Sequence, residues 1–168
     1  MVDLHSPLRI NVGFFIVQTI GYTREFDIDL PQVCLEPDLN LYEMQGTVRI
    51  TRTPQGLLVQ TRLSAVVPAE CVRCLEGFNQ PLSVDFSELY AFNKKSMTES
   101  GLILPEDGHI NLGPLLREFM LLEVPISPLC RADCKGLCLE CGHNLNISHC
   151  EHTHFTDNHS INVLKAQS

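Results

Sequence analysis

The chain has 168 residues, enough for about one domain with a core of its own, so a metal ion would order one region of it rather than create the fold. Its net charge is −8, it has eight cysteines, and it has no tryptophan. That acidic balance argues against a protein that wraps a phosphate backbone unaided, because non-specific nucleic-acid affinity comes from clustered Lys and Arg.

Val12 to Ile20 is apolar, yet too short to span a bilayer, and neither a basic leader nor a small-residue cleavage site frames it. The expectation is a cytoplasmic or organelle-matrix protein. In such a reducing compartment eight cysteines do not read as four disulfides, and metal ligation becomes the default.

In chain order, Phe15, Val17 and Ile20 and then Phe26, Ile28 and Leu30 mark two strands around Gly21. Phe26 to Leu30 alternates apolar with acidic residues, the pattern of a half-buried strand. Cys34 stands alone between Val33 and Leu35, reads as a small buried apolar residue, and is left out of the metal count.

Pro54 and Gly56 make a turn between two alternating runs. Pairing Thr53 with Gly56 puts Val48, Ile50 and Arg52 on the face of Leu57, Val59 and Thr61, which should look at the core. The opposite face carries Arg49, Thr51, Gln60 and Arg62, and its two arginines are near enough to share RNA or an acidic partner, although solvated surface is the commoner fate of such residues.

The second run continues through Ala65, Val66 and Val67 to Cys71-Val-Arg-Cys74, so this cysteine pair sits at a strand exit. Pro81 to Phe92 alternates again and returns from that exit as another long strand. Asn93 to Gly108 is polar and aperiodic, and reads as a mobile loop. Asn111 to Glu123 reads as a helix, with Asn111 as N-cap and Pro114 in the first turn. Leu112, Leu115, Leu116, Phe119 and Leu122 form its apolar face, and Pro125 and Pro128 stop it.

Five of the eight cysteines fall between Pro128 and His154. In Cys138-Leu-Glu-Cys141-Gly142 the glycine lets the backbone curl and aim amide N–H groups at the sulfurs, as in a zinc knuckle. With Cys34 set aside, seven cysteines and His152 supply eight ligands, enough for two closed four-coordinate sites. Cys138, Cys141, Cys150 and His152 close locally, and Cys130 and Cys134 then meet Cys71 and Cys74 across a long loop. A rival partition pairs the two Cys-x-x-Cys knuckles as in a zinc ribbon and leaves Cys130, Cys134, Cys150 and His152 for the other ion. His149 or His154 could replace His152, and a single occupied site is the simpler alternative. His5, His109, His143 and His159 read as solvent-facing. Thiolate with imidazole favours zinc, whereas four thiolates also hold iron.

The expected fold class is α+β: a mainly antiparallel sheet, or a partly open barrel, with one packed helix and a C-terminal cysteine-rich zinc-binding segment. Residues 1–127 form the β-rich part with its helix, 128–154 the segment joined to Cys71 and Cys74, and 155–168 a tail whose apolar cluster is Ile161, Val163 and Leu164.

Asn11-Val-Gly-Phe-Phe15, Gly46 to Val59, Cys71-Val-Arg-Cys74-Leu-Glu76 and Leu129 to Asn146 together resemble the YceD family of large ribosomal RNA subunit accumulation proteins over most of the chain. The resemblance implies a role in ribosome biogenesis, supporting synthesis, processing or stability of the large-subunit (23S) RNA, with no catalytic activity. It also implies partners among large-subunit ribosomal proteins or pre-rRNA assembly intermediates. Two positions depart from the family pattern: Leu139 stands where proline is common, and His152 where a final cysteine is common.

Two other classes compete with such an assembly factor. A metal hydrolase needs an open coordination position and a general base, but here ligands are in surplus and no His-Glu-x-x-His helix occurs. A dithiol redox protein needs its Cys-x-x-Cys to open a helix, and the polar run after Gly142 does not start one.

Overall fold

The computed structural model describes residues 7–152. A short strand β1 (Arg9–Asn11) leads into a 3-10 turn at Gly13–Val17, followed by four long strands: β2 (Thr23–Leu35), β3 (Leu39–Arg52), β4 (Gly56–Glu70) and β5 (Gly77–Ala91). These four pair antiparallel in the order β2-β3-β4-β5, and β2 and β5 remain edges, so the sheet is open. A short β6 (His109–Asn111) pairs with β1, and α1 (Gly113–Glu123) follows directly.

The register follows from the alternation of apolar residues. Val48, Ile50 and Arg52 stand opposite Thr61, Val59 and Leu57, and Thr53 closes the turn by donating its backbone N–H to the Gly56 carbonyl at 2.8 Å. Val48, Ile50, Leu57 and Val59 are fully buried, as period-two patterning requires of a face turned to the core. Arg52 shares that side but keeps its guanidinium off the core, donating to the Ile16 carbonyl and lying 5.2 Å from the Phe92 ring centroid. β4 and β5 pair without a break from Gly56–Ala91 to Glu70–Gly77, so the connection that begins at Cys71 is presented at the far end of the longest hairpin.

α1 packs on β5 and β2, the two edge strands. Leu116 and Met120 are fully buried, and Phe119 stacks on Phe86 of β5 with ring centroids 4.1 Å apart. Asn111 Oδ1 accepts the Gly113 N–H at 3.0 Å, but Asn111 ends β6 and is not the expected N-cap: that position falls on Leu112, which makes no side-chain cap, and regular helix begins at Gly113.

β1 and β6 form a ribbon with internal pseudo-symmetry. Ile10 pairs with Ile110, flanked by Arg9–Asn111 and Asn11–His109. Asn11 Oδ1 accepts the Gly13 N–H just as Asn111 accepts that of Gly113, and each strand is extended by one bond, from Val12 N–H to Gly108 and from Leu112 N–H to Leu8.

Four further expectations need correction. The segment around Phe15 is a 3-10 turn, because only Phe15 goes inward, against Tyr22, while Val17 and Ile20 face solvent. Cys34 is exposed: Val33 and Leu35 take the core face of β2, so the residue between them points the other way. Leu122 is exposed too, outside the buried stripe of α1. Finally, the polar stretch after Asn93 is anchored. Asn93 caps a turn at Lys94–Ser96, and Leu102 and Leu104 bond the backbone of Ala91 on both sides of Ile103. The residues of the tail cluster, with His5, His154 and His159, lie outside the described residues.

Candidate metal centre

Cys71 and Cys74 occupy the connection between β4 and β5. The turn closes by bonds from Cys71 N–H to the Glu76 carbonyl and from Leu75 N–H to the Cys71 carbonyl, with Leu75 in the left-handed region at φ 58°. After α1, the chain comes back to this turn. Val72 N–H donates to the Pro128 carbonyl at 3.0 Å, and Arg73 Nη1 donates to the Cys134 carbonyl at 3.0 Å. Leu137 N–H donates in turn to the Arg73 carbonyl at 3.0 Å. Gly136 has φ +76°, and a Cβ there would come within 3.0 Å of the Arg73 carbonyl, so this contact demands glycine.

These backbone ties assemble Cys71, Cys74, Cys130 and Cys134 into one quartet, and Cys138, Cys141, Cys150 and His152 into a second. Within each, the candidate ligand atoms lie within 4.8 Å of one another. The zinc-ribbon partition, which would place Cys71 and Cys74 beside Cys138 and Cys141, is not the arrangement present. His149 is not in the second quartet.

The spacing of the sulfurs tests the fit of a metal ion. Cys71 and Cys134 Sγ are 3.7 Å apart, as are Cys74 and Cys130 Sγ. Tetrahedral coordination with a Zn–S bond of about 2.3 Å places sulfurs about 3.8 Å apart. A disulfide would need about 2.05 Å. The set could therefore hold an ion at its centre, and none of its sulfurs is bonded to another as cystine.

Electrostatics agree. The Cys71 thiol is lowered to about 6, first by the backbone N–H of Cys130 and further by those of Cys74 and Arg73, against the opposing effect of burial. Burial pushes the Cys130 thiol up to about 12, helped by the neighbouring sulfurs. Four sulfurs this close cannot all ionise without a cation among them, and a divalent ion removes that conflict. Asn146 Nδ2 donates to Cys134 Sγ at 3.3 Å, while Asn146 Oδ1 accepts from Lys135 N–H and Arg131. Asn144 then joins this network to Glu76 at 3.1 Å.

In the second quartet the knuckle is made by Cys138 N–H bonding to the His143 carbonyl and Gly142 N–H to the Cys138 carbonyl, with Gly142 at φ 70°. The backbone N–H of Cys141 leads the effects that lower the Cys138 thiol. His152 Nδ1 lies 3.9 Å from Cys138 Sγ, and its Nε2 lies 3.5 Å from the Glu140 carboxylate. An imidazole with one nitrogen at the ligand set and the other at a carboxylate is the usual posture of a metal-binding histidine. The quartets are bridged by a small hairpin in which Leu137 pairs with Asn144 and Leu145 N–H bonds Gly136.

The supporting residues Arg73, Glu140, Asn144 and Asn146 were not singled out from sequence. Their only signal is the short polar spacing inside the cysteine run. The arginine patch on the outer face of the sheet is present as geometry, but its charges are paired: Arg49 Nε bonds Glu25 at 2.7 Å and Arg62 Nε bonds Asp85 at 2.9 Å.

Among known proteins, curated relatives from Mycobacterium bovis and Mycobacterium tuberculosis, both described as uncharacterized, are 33% identical over 145 residues, covering 83% of this chain and 59% of theirs. A protein of Arabidopsis thaliana, the chloroplastic YCED homolog 1 named a large ribosomal RNA subunit accumulation protein, is 40% identical over 47 residues, or 28% of this chain and 15% of its own. The chain thus spans 59% or less of the length of these relatives. No solved structure matches the chain. The family model described as "Large ribosomal RNA subunit accumulation protein YceD" matches residues 59–166, from within β4 through both cysteine quartets, and the chain belongs to the YceD family.

Proposed function

We propose that the chain is a non-enzymatic factor of ribosome biogenesis, acting in the cytoplasm to support synthesis, processing or stability of the large-subunit (23S) RNA. Its partner is a large-subunit ribosomal protein or a pre-rRNA assembly intermediate. Two zinc ions have structural roles, one held by Cys71, Cys74, Cys130 and Cys134 and the other by Cys138, Cys141, Cys150 and His152. The observation that carries this reading is the grouping of both quartets, each offering four protein ligand atoms within 4.8 Å of one another, with two sulfur pairs of the first quartet at 3.7 Å. A catalytic zinc keeps a position for water, and a full ligand set does not. When bound, zinc supplies fixed charge and cross-linking. The protein's own residues do the rest: Arg73 and Asn146 hold Cys134, and Glu140 orients His152.

The family name supports the RNA assignment. Cells depleted of the protein should show a fall in 23S relative to 16S RNA, and the tagged protein should co-fractionate with precursor large-subunit particles. An unchanged RNA ratio together with absence from those particles would refute the assignment. Metal analysis of protein purified without added metal should give about two zinc ions per chain, as two closed sites require.

A further inference from the structure

We propose that the hollow between β1, the 3-10 turn and β2 is a binding subsite for one unpaired nucleotide of RNA. The cavity has a volume of about 540 Å³ and is lined in part by Arg9, Asn11, Phe14, Arg24, Phe26 and Asp27. That volume suits a nucleotide-sized ligand. The inference rests on the ribosome-assembly reading only in naming RNA as the source of the nucleotide.

Three features of the cavity point to this ligand. Arg24 is the first. Its guanidinium lies 5.4 Å from the Phe14 ring centroid and 5.2 Å from that of Phe26. Every other arginine donates to a carboxylate or a carbonyl, whereas Arg24 has neither kind of partner among the described residues. A cation set beside aromatic rings, with no anionic partner, is an element that proteins use to stack unpaired bases.

Arg9 is the second. Its side chain is only 10% exposed; Nη2 bonds Asp107 at 2.6 Å, while the buried Nη1 has no hydrogen-bond partner. A buried guanidinium donor left unmatched is costly, so a small shift of Arg9 that brought Nη1 to a ligand acceptor would be repaid.

The third is the mixed character of the remaining lining. Asp27 adds an acceptor, and Asn11, whose Oδ1 is taken by the Gly13 N–H, adds an amide donor. A bare phosphate or carboxylate would meet Asp27 unfavourably. A nucleobase edge presents donors and acceptors together and so matches both residues.

Affinity built this way comes from stacking more than from counterion release, which reconciles RNA contact with a net charge of −8. The test uses the zinc-loaded full chain and fluorescence anisotropy with a labelled single-stranded RNA of mixed sequence, about 12 nucleotides long. Wild type should bind with a shallow salt dependence, and Arg24→Gln should weaken binding about tenfold. Phe14→Leu, which keeps apolar bulk but loses the aromatic face, should weaken it similarly, and ultraviolet cross-links should map to peptides containing Phe14 or Arg24. Since Phe14 also packs on Phe15, the exposed Arg24→Gln variant decides if Phe14→Leu melts early. Unchanged affinity of Arg24→Gln, cross-links confined to the face of Arg49 and Arg62, or no binding by wild type would each overturn the subsite. Co-fractionation with precursor particles that persists without RNA binding would reject the subsite alone, whereas absence of the wild-type protein from those particles, with an unchanged 23S to 16S ratio, would reject the assembly reading.

Discussion

The sulfurs of Cys71 and Cys134 approach to 3.7 Å although 63 positions separate them in the chain. One of these residues opens the turn between the two longest strands, and the other lies beyond the helix. A metal ion held between them would fasten the sheet to the segment that follows α1.

Replacing Cys71 by Ser should therefore remove one zinc ion and spare the other. The expected protein carries about one zinc per chain and becomes protease-sensitive between Val124 and Lys135, while Cys138 remains shielded from alkylation. Retention of both ions, or loss of both together, would contradict two independent quartets. Metal analysis with mass mapping of modified thiols distinguishes the cases.

Asn146→Ala removes a donor to Cys134 Sγ, and Glu140→Gln removes the carboxylate beside His152 Nε2. Each should lower metal affinity at its own quartet by about tenfold, the lower end of what such supporting residues contribute. Competition with a chromophoric chelator would show one fast-releasing ion in each variant. Slow release of both ions from either variant would mean that its supporting contact is incidental. His152→Cys, which offers a thiolate in place of the imidazole, should keep both ions bound.

Asp107 gives an acid-sensitive contact remote from the cysteines. Its carboxyl is lowered below the ordinary 3.8, first by the backbone N–H of His109 and then, against some burial, by Arg9. A lowered carboxyl stabilises the fold fully above the unfolded-state value and loses that contribution as pH falls through the folded-state value. Asp107→Asn should thus lower the melting temperature at pH 7, and the difference from wild type should shrink under acid conditions below about pH 4. A difference that stays constant with pH would show that the charge of the Asp107 carboxylate is not the cause.

Gly46 of β3, at φ +142°, pairs with Leu63 of β4, and a Cβ there would come within 2.1 Å of the Arg62 carbonyl oxygen. Gly46→Ala should cost about 2–4 kcal/mol in urea denaturation, from backbone strain and overpacking together. Gly77→Ala meets nothing within 4 Å and serves as the near-neutral control.

Much of this architecture was legible because period-two patterning survives where one face is buried: the Val48–Ile50 and Leu57–Val59 pairing could be aligned from Thr53-Pro-Gln-Gly56 alone. The grouping of the cysteines was also approachable, since a local set left a distant one by subtraction. What escaped were features without period or spacing. Phe15 lies in a stretch rich in strand formers, yet a 3-10 turn lets it reach Tyr22. Ile10 and Ile110 pair through strands of three residues each, too short to alternate visibly. Arg24 looks like any exposed strand residue until Phe14 arrives from another element.

The split origin of the first quartet has a consequence during synthesis. Cys74 and Cys130 are 56 positions apart, which at about 5–20 residues per second separates their emergence from the ribosome by roughly 3–11 s. For that interval a nascent chain displays a half-built thiol pair beside an already pairable β4–β5 hairpin. Zinc delivered early can be held there by two sulfurs only, and oxidants meet both thiols unprotected. Completion of this quartet would thus wait for Cys134, which emerges only after α1.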